Sequence, residues 1–337
     1  MSTVVMVPTS GPPEVARRVR SASGGADRVF RLVLLGAGLT VLLIMIAIGV
    51  FLLVQGYPAL AEDGLKFLTT QAWDPDHHNF GVASLIPNTL LIAVVAVIFA
   101  VPLATGVALY ISEYAPRRLR PALINTLDLM AAVPGVVYGL WGFFYLQEKV
   151  IPLARFLSSY FGWLPFLAIP GANPNDPLEN KTTYESSTFI AGIVVALAIM
   201  PIICSVMRES FAQAPDGERE GAYALGATRW GMIRSVVLPF GRGGMIGGTM
   251  LGLGRAMGEA IIVVKLISPV DRIQPEILRS GANSVSALIT QEFDEAGPFR
   301  LSALMAAGLA LFALALVVNF GASALIVRSR SGQLSEA

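Results

Sequence analysis

Arg255 and Glu259 stand four residues apart in GLGRAMGEAI, residues 252–261, inside a run, GGMIGGTMLGLGRAMGEAIIVVKLI, that otherwise has the composition of a membrane-spanning helix. A charge near the bilayer centre costs about 3 kcal/mol on insertion scales, so such residues face a bundle interior or a polar pathway. Arg255 falls near the middle of the span. Its guanidinium is permanently charged and presents a planar fork of donors that suits an oxyanion. Glu259 lies one turn further on the same face, and Arg before Glu is the weaker order for an intrahelical pair. Glu259 is therefore expected to do more than pair. It could hold Arg255 in position, lower the net charge so that an anion is not trapped, or accept a hydrogen bond from a protonated oxyanion. Sulfate carries no such proton at neutral pH and is disfavoured by the same carboxylate. The competing reading is a buried ion pair that ties this span to a neighbour. Asp128 is a further candidate partner, and Lys265, near the outer end, is expected to snorkel.

Other chemistry finds little support. The chain has no G-x-x-x-x-G-K-[ST], no nucleophile elbow, no zinc-helix motif and no complete dinucleotide fingerprint. No catalytic residue and no cofactor are expected in this chain. Cys204 is the one cysteine, so an intramolecular disulfide and a Cys-based metal site are both ruled out, and it reads as a small buried hydrophobe. His77 and His78 are adjacent, point apart on a regular element and have no third ligand nearby.

The elements that must position Arg255 are transmembrane helices. Of the 337 residues 54% are hydrophobic and 14% charged, and the mean hydropathy is +0.66; an all-α polytopic membrane protein follows. Six windows are long and apolar enough to span: about 32–54, 84–111, 123–147, 188–207, 243–266 and 301–327. They form one domain, 32–330, between a cytoplasmic tail, 1–31, and a short C-terminal tail, 331–337. Fifteen Lys and Arg fall on one side of these spans and seven on the other, which predicts that both termini are cytoplasmic. The first run is too long for a signal-peptide core. The loop 148–187 is then external, its apolar but proline-broken IPLARFLSSYFGWLPFLAIP an interfacial or re-entrant piece. NKT at 180–182 matches a glycosylation acceptor. Small-residue pairs, Gly248 with Gly252 and Gly254 with Gly258, suit close helix packing, and Pro102, Pro134 and Pro201 lie within or at the ends of spans.

Between the fourth and fifth spans lies PDGEREGAYALGATRWGMIRSVVLP, 215–239. Pro215, Asp216 and Glu218 suit a helix start, Gly226 a stop, and Thr228 a cap for a second helix that presents Trp230, Ile233 and Val237 on one face and closes at Pro239. Such a compact helical pair, with Gly221, Ala222 and Ala224 at its tip, can enter a groove of another protein.

The spacing Glu220-Gly221-Ala222, three residues, Gly226, nine residues, Val236-x-Leu238-Pro239 resembles the EAA motif of the permease subunits of bacterial ABC importers, with Gly221 in place of Ala and Val236 in place of Ile. AAVPGVVYGLWGFF at 131–144, EYAP at 113–116, EGAYALGATRW at 220–230 and GLGRAMGEA at 252–260 are more specifically similar to the PstC family of phosphate-importer permeases, over roughly residues 30 to 330. The resemblance implies the type I importer permease (MetI-like) fold in a bacterial plasma (inner) membrane. It implies a PstA-like second permease, two PstB-like ATPases that bind ATP and Mg, a PstS-like phosphate-binding protein, and no nucleic acid. Glu220, Gly221, Ala222, Gly226, Leu238 and Pro239 would couple to the ATPase, and Arg255 and Glu259 would line the pathway. Sulfate or molybdate is the alternative cargo. A secondary phosphate transporter is a more distant alternative, because it needs no such loop.

Overall fold

The computed structural model describes residues 25–169, 171 and 181–330. The tail 1–24, the tail 331–337 and most of the polar run before Lys181, including Asn180 of the NKT pattern, lie outside the described residues. Residues up to Ile48 and residues from Gly49 onward form two units. The described part of the first is a single helix with apolar side chains exposed on all sides. That exposure suits a hydrocarbon surround and would be untenable in water.

Twelve α-helices occur among the described residues. α1, Gly25–Asp63, starts earlier and ends later than the predicted 32–54. Its end is fastened to α12, Pro298–Arg330, by Ser302, whose Oγ accepts from the Ala59 amide at 3.2 Å and donates to the Gln55 carbonyl at 2.8 Å. After α1 the chain makes a hairpin, β1 Trp73–Asp74 and β2 Asn79–Phe80. His78 takes the left-handed conformation, φ 53°. The two imidazoles engage different carboxylates, His77 with Asp74 and His78 with Glu62.

The core is built from α2 (Leu85–Leu109), α6 (Thr188–Ala212) and α9 (Leu238–Gly258). Ala93, Ala96, Ala100, Ala104 and Ala108 form a fully buried stripe on α2 at helical spacing, so the backbones approach closely. α9 meets α6 through its own small residues. A Cβ at Gly241 would strike Phe211, at Gly244 Ser210, and at Gly252 Ile203. Gly248 and Gly252 thus pack as predicted. Gly254 and Gly258 do not form an equivalent contact: Gly254 lies beside Asn319 of α12, and Gly258 faces open space.

Two predicted spans are not single helices. The third is α3, Arg120–Ala132, followed by α4, Gly135–Trp141, a π turn over Gly142–Leu146 and α5, Gln147–Phe161. The second leg is bent by 89° from the first. Val133 precedes proline and is pushed into extended backbone, ψ 127°. The stretch expected as a separate external piece after 148 is, as far as Phe161, a continuation of this leg, with Pro152 in its second turn. The fifth predicted span starts much earlier. One helix runs from Arg229 to Gly258, through α8 (Arg229–Met232), a π turn (Ile233–Val237) and α9. The chain breaks at Glu259 and resumes as α10, Ile261–Leu266. Among the described residues five helices are long and apolar enough to cross a membrane, or six with the bent pair counted as one span. α11, Val285–Glu292, packs between α10 and α12.

Candidate functional site

The loop between α6 and α9 forms as the sequence dictates. α7, Asp216–Ala224, has Pro215 as its N-cap and Asp216 and Glu218 in its first turn. It ends in a Schellman motif: the Gly226 amide donates to the Tyr223 carbonyl at 2.9 Å and the Ala227 amide to the Ala222 carbonyl at 3.0 Å, with Gly226 at φ 85°. Thr228 Oγ1 then accepts from the Gly231 amide at 3.1 Å and caps α8.

The tip of this pair projects from the bundle. Leu225 is 91% exposed and Trp230 56% exposed, while Ile233 and Val237 are fully buried. Trp230 therefore does not share their face, a correction to the expected stripe. Glu220 and Gly221 are exposed on α7, Ala222 is half-buried, and Leu238 and Pro239 are half-buried at the junction with α9. Pro239 does not close the unit. It lies at the start of α9, directly after the π turn, which accommodates the ring and the missing N–H inside one continuous rod.

Charged side chains whose contact partners the sequence did not reveal fasten this loop to the bundle. Glu113 belongs to the π turn Tyr110–Tyr114 that ends α2, and it is buried. Arg219 of α7 donates to both its carboxylate oxygens, at 3.0 and 3.1 Å. The same guanidinium donates to the Phe211 carbonyl at 2.7 Å and the Ala214 carbonyl at 3.2 Å. Ser112 Oγ donates to Glu113 at 2.8 Å. Arg229 reaches the Glu113 carbonyl and stacks 4.7 Å over Tyr114. Arg120 of α3 caps the same chain end, through the Ser112 carbonyl at 2.8 Å and the Ala115 carbonyl at 3.1 Å. A buried charge is tolerated when its lone pairs are met this fully. The EYAP stretch was visible in sequence; its partners, more than a hundred positions away, were not.

Within the bundle, Arg255 and Glu259 part company. Glu259 lies beyond the end of α9 in extended backbone, ψ 112°, so the two do not share a helix face and form no ion pair. Arg255 is exposed on α9 and makes no hydrogen bond or ion pair with any described residue. It lines a crevice of about 440 Å³ with Met250, Gly254, Ile202 and Asn319. Glu259 turns instead to the break in the third span. Its Oε1 lies 2.9 Å from where a Cβ on Gly135 would stand and accepts, at 3.5 Å, from the Ile262 amide. Its backbone carbonyl accepts from Ser286 Oγ of α11 at 3.1 Å. One carboxylate thus sits between the two helix breaks, 133–134 and 259–260. Asp128 is exposed on α3 and does not pair with Arg255; Lys265 is exposed on α10 beside Gly139.

Comparison with known proteins places this architecture. Residues 100–331 match the model of the binding-protein-dependent transport system inner membrane component family. The phosphate transport system permease protein PstC 2 of Mycobacterium tuberculosis is 39% identical over 328 residues, 96% of this chain and 98% of the relative. PstC of Xylella fastidiosa is 35% identical over 328 residues, 97% of each. Among solved structures, an inward-facing form of the MetNI methionine ABC transporter superposes with a TM-score of 0.51 at 15% identity, over 74% of this chain and 94% of that one, a likeness of fold. The chain therefore belongs to the binding-protein-dependent transport system inner membrane component family, the permeases of ABC importers, and within it to the PstC group of these relatives.

Proposed function

We propose that this permease forms half of a pathway for inorganic phosphate and is driven by a separate ATPase that docks on the projecting tip around Leu225 and Trp230. The partners are a PstA-like permease completing the pathway, two PstB-like ATPases holding ATP and Mg, and a PstS-like binding protein on the opposite face. Both termini and the loop 208–242 lie on the ATPase side, in the cytoplasm of a bacterium. The observation that carries the reading is Arg255: a permanent charge on an apolar helix, exposed, unpaired among the described residues and set beside a crevice. Left in hydrocarbon it would cost kilocalories; facing a second permease across a polar pathway it becomes an anion ligand. Glu259, in extended backbone between two helix breaks, shapes the same passage and keeps its field from trapping the anion.

The test is uptake of labelled phosphate by proteoliposomes holding the assembled complex and binding protein. Arg255→Gln should lower uptake at least tenfold and Arg255→Lys less, with assembly unchanged, because no described residue loses a counter-charge. Wild-type uptake by an assembled Arg255→Gln complex overturns the pathway assignment. Sulfate or molybdate carried in preference to phosphate overturns the cargo.

A further inference from the structure

We infer that the coupling-loop side carries a second anion site, separate from Arg255 and built for a phosphate group by Arg208 together with Arg120 and Arg219. The three guanidiniums come from α6, α3 and α7 and line one cavity of about 330 Å³, with Ser112 and Asp216 completing its polar wall. That volume has room for on the order of ten waters, ample for a hydrated oxyanion or a lipid phosphate group.

The three cations are not equivalent. Arg120 and Arg219 are fixed by the backbone carbonyls at the ends of α2 and α6, and Arg219 is matched by Glu113. Arg208, half-buried near the end of α6, makes no hydrogen bond or ion pair with any described residue. Its donors are therefore available to a ligand, beside two cations already held in place. Against Asp216 and Glu113 the group retains one uncompensated positive charge, which an anion offsets. A fork of donors favours phosphate oxygens over a monatomic anion. Asp216, the one carboxylate in the wall, accepts the proton of a monohydrogen phosphate or a hydroxyl of a glycerol headgroup.

The ligand class is thus a phosphate group, either free phosphate or the headgroup of an anionic lipid. The site spans α3, α6 and α7, so an occupant cross-links the loop that meets the ATPase to two membrane segments. The inference rests on the proposed orientation only in placing the site on the ATPase side, where imported phosphate is released.

The experiment uses the purified complex without binding protein in nanodiscs of zwitterionic lipid, with radiolabelled inorganic phosphate as probe and Arg255→Gln as background to remove the pathway ligand. Saturable binding should survive in that background, weaken at least tenfold on adding Arg208→Gln, and weaken less with Arg208→Lys. In discs containing phosphatidylglycerol, native mass spectrometry reads retained lipid. Retention by Arg255→Gln that Arg208→Gln abolishes, with no phosphate bound in zwitterionic discs, identifies the headgroup as occupant. If Arg208→Gln alters neither phosphate binding nor lipid retention, the site is refuted. Failure of the pathway assignment would show separately, as normal uptake by Arg255→Gln.

Discussion

Arg219 of the projecting loop grips both carboxylate oxygens of Glu113 at the end of α2, at 3.0 and 3.1 Å, across 106 positions of sequence. The side chains are only 18% and 4% exposed, so neither can readily exchange its partner for water. A push on the loop is delivered directly to the end of a core helix.

Breaking this pair from one side leaves a buried charge uncompensated, at a cost of about 3–5 kcal/mol. Arg219→Ala and Glu113→Ala should each lower the melting temperature of the purified complex and reduce its yield. Combining the two should cost less than the sum of the single effects. Additive losses in a thermal-shift series would show that the pair is not coupled.

Gly226 tests the loop geometry by a different route. A Cβ there meets nothing within 4 Å, so any penalty is conformational and not steric crowding. Asn tolerates the left-handed region and Val does not. Gly226→Asn should retain uptake and ATPase recruitment, whereas Gly226→Val should lose both while the chain still inserts. Equal behaviour of the two variants contradicts the Schellman turn.

Leu225, 91% exposed, should be a docking anchor with little role in the fold. Leu225→Asp should leave expression and melting temperature unchanged and cut ATPase co-purification at least tenfold. Full recruitment by this variant would move the docking surface elsewhere.

Orientation can be read with an impermeant thiol reagent in a Cys204-free background. Ser187 is fully buried and Trp163 is 75% exposed, so Trp163→Cys is the external reporter and Leu225→Cys the internal one. Trp163→Cys should label in intact cells and Leu225→Cys only after lysis. The reverse pattern inverts the topology.

Much of this was legible in the sequence because local rules decide it. The apolar windows, the Gly226 stop and the Thr228 cap each follow from a few neighbouring residues. What escaped depends on distant partners. Pro134 marked the break in the third span, yet the apolar pattern runs straight across it. Glu259 leaves the helix without any proline, where α10 packs beside the α4 leg and the Gly135 surface receives its carboxylate. The pairing of Arg255 with Glu259 assumed an unbroken helix, and the break removed it. Glu113 and Arg219 were each visible as charges, but only the fold brings them together.

The uninterrupted helix from Arg229 to Gly258 sets the phase between two distant events. Arg229, at the loop, and Arg255, beside the crevice, ride on one rod about 39 Å apart along its axis, so a rotation at one end is a rotation at the other. Each residue added to an α-helix turns everything beyond it by about 100°. One alanine inserted after Gly247 would leave Trp230 where it stands and swing Arg255 to another side of the helix. The projecting loop and the Arg255 crevice are then timed by a count of residues, as two cams are timed by the shaft between them.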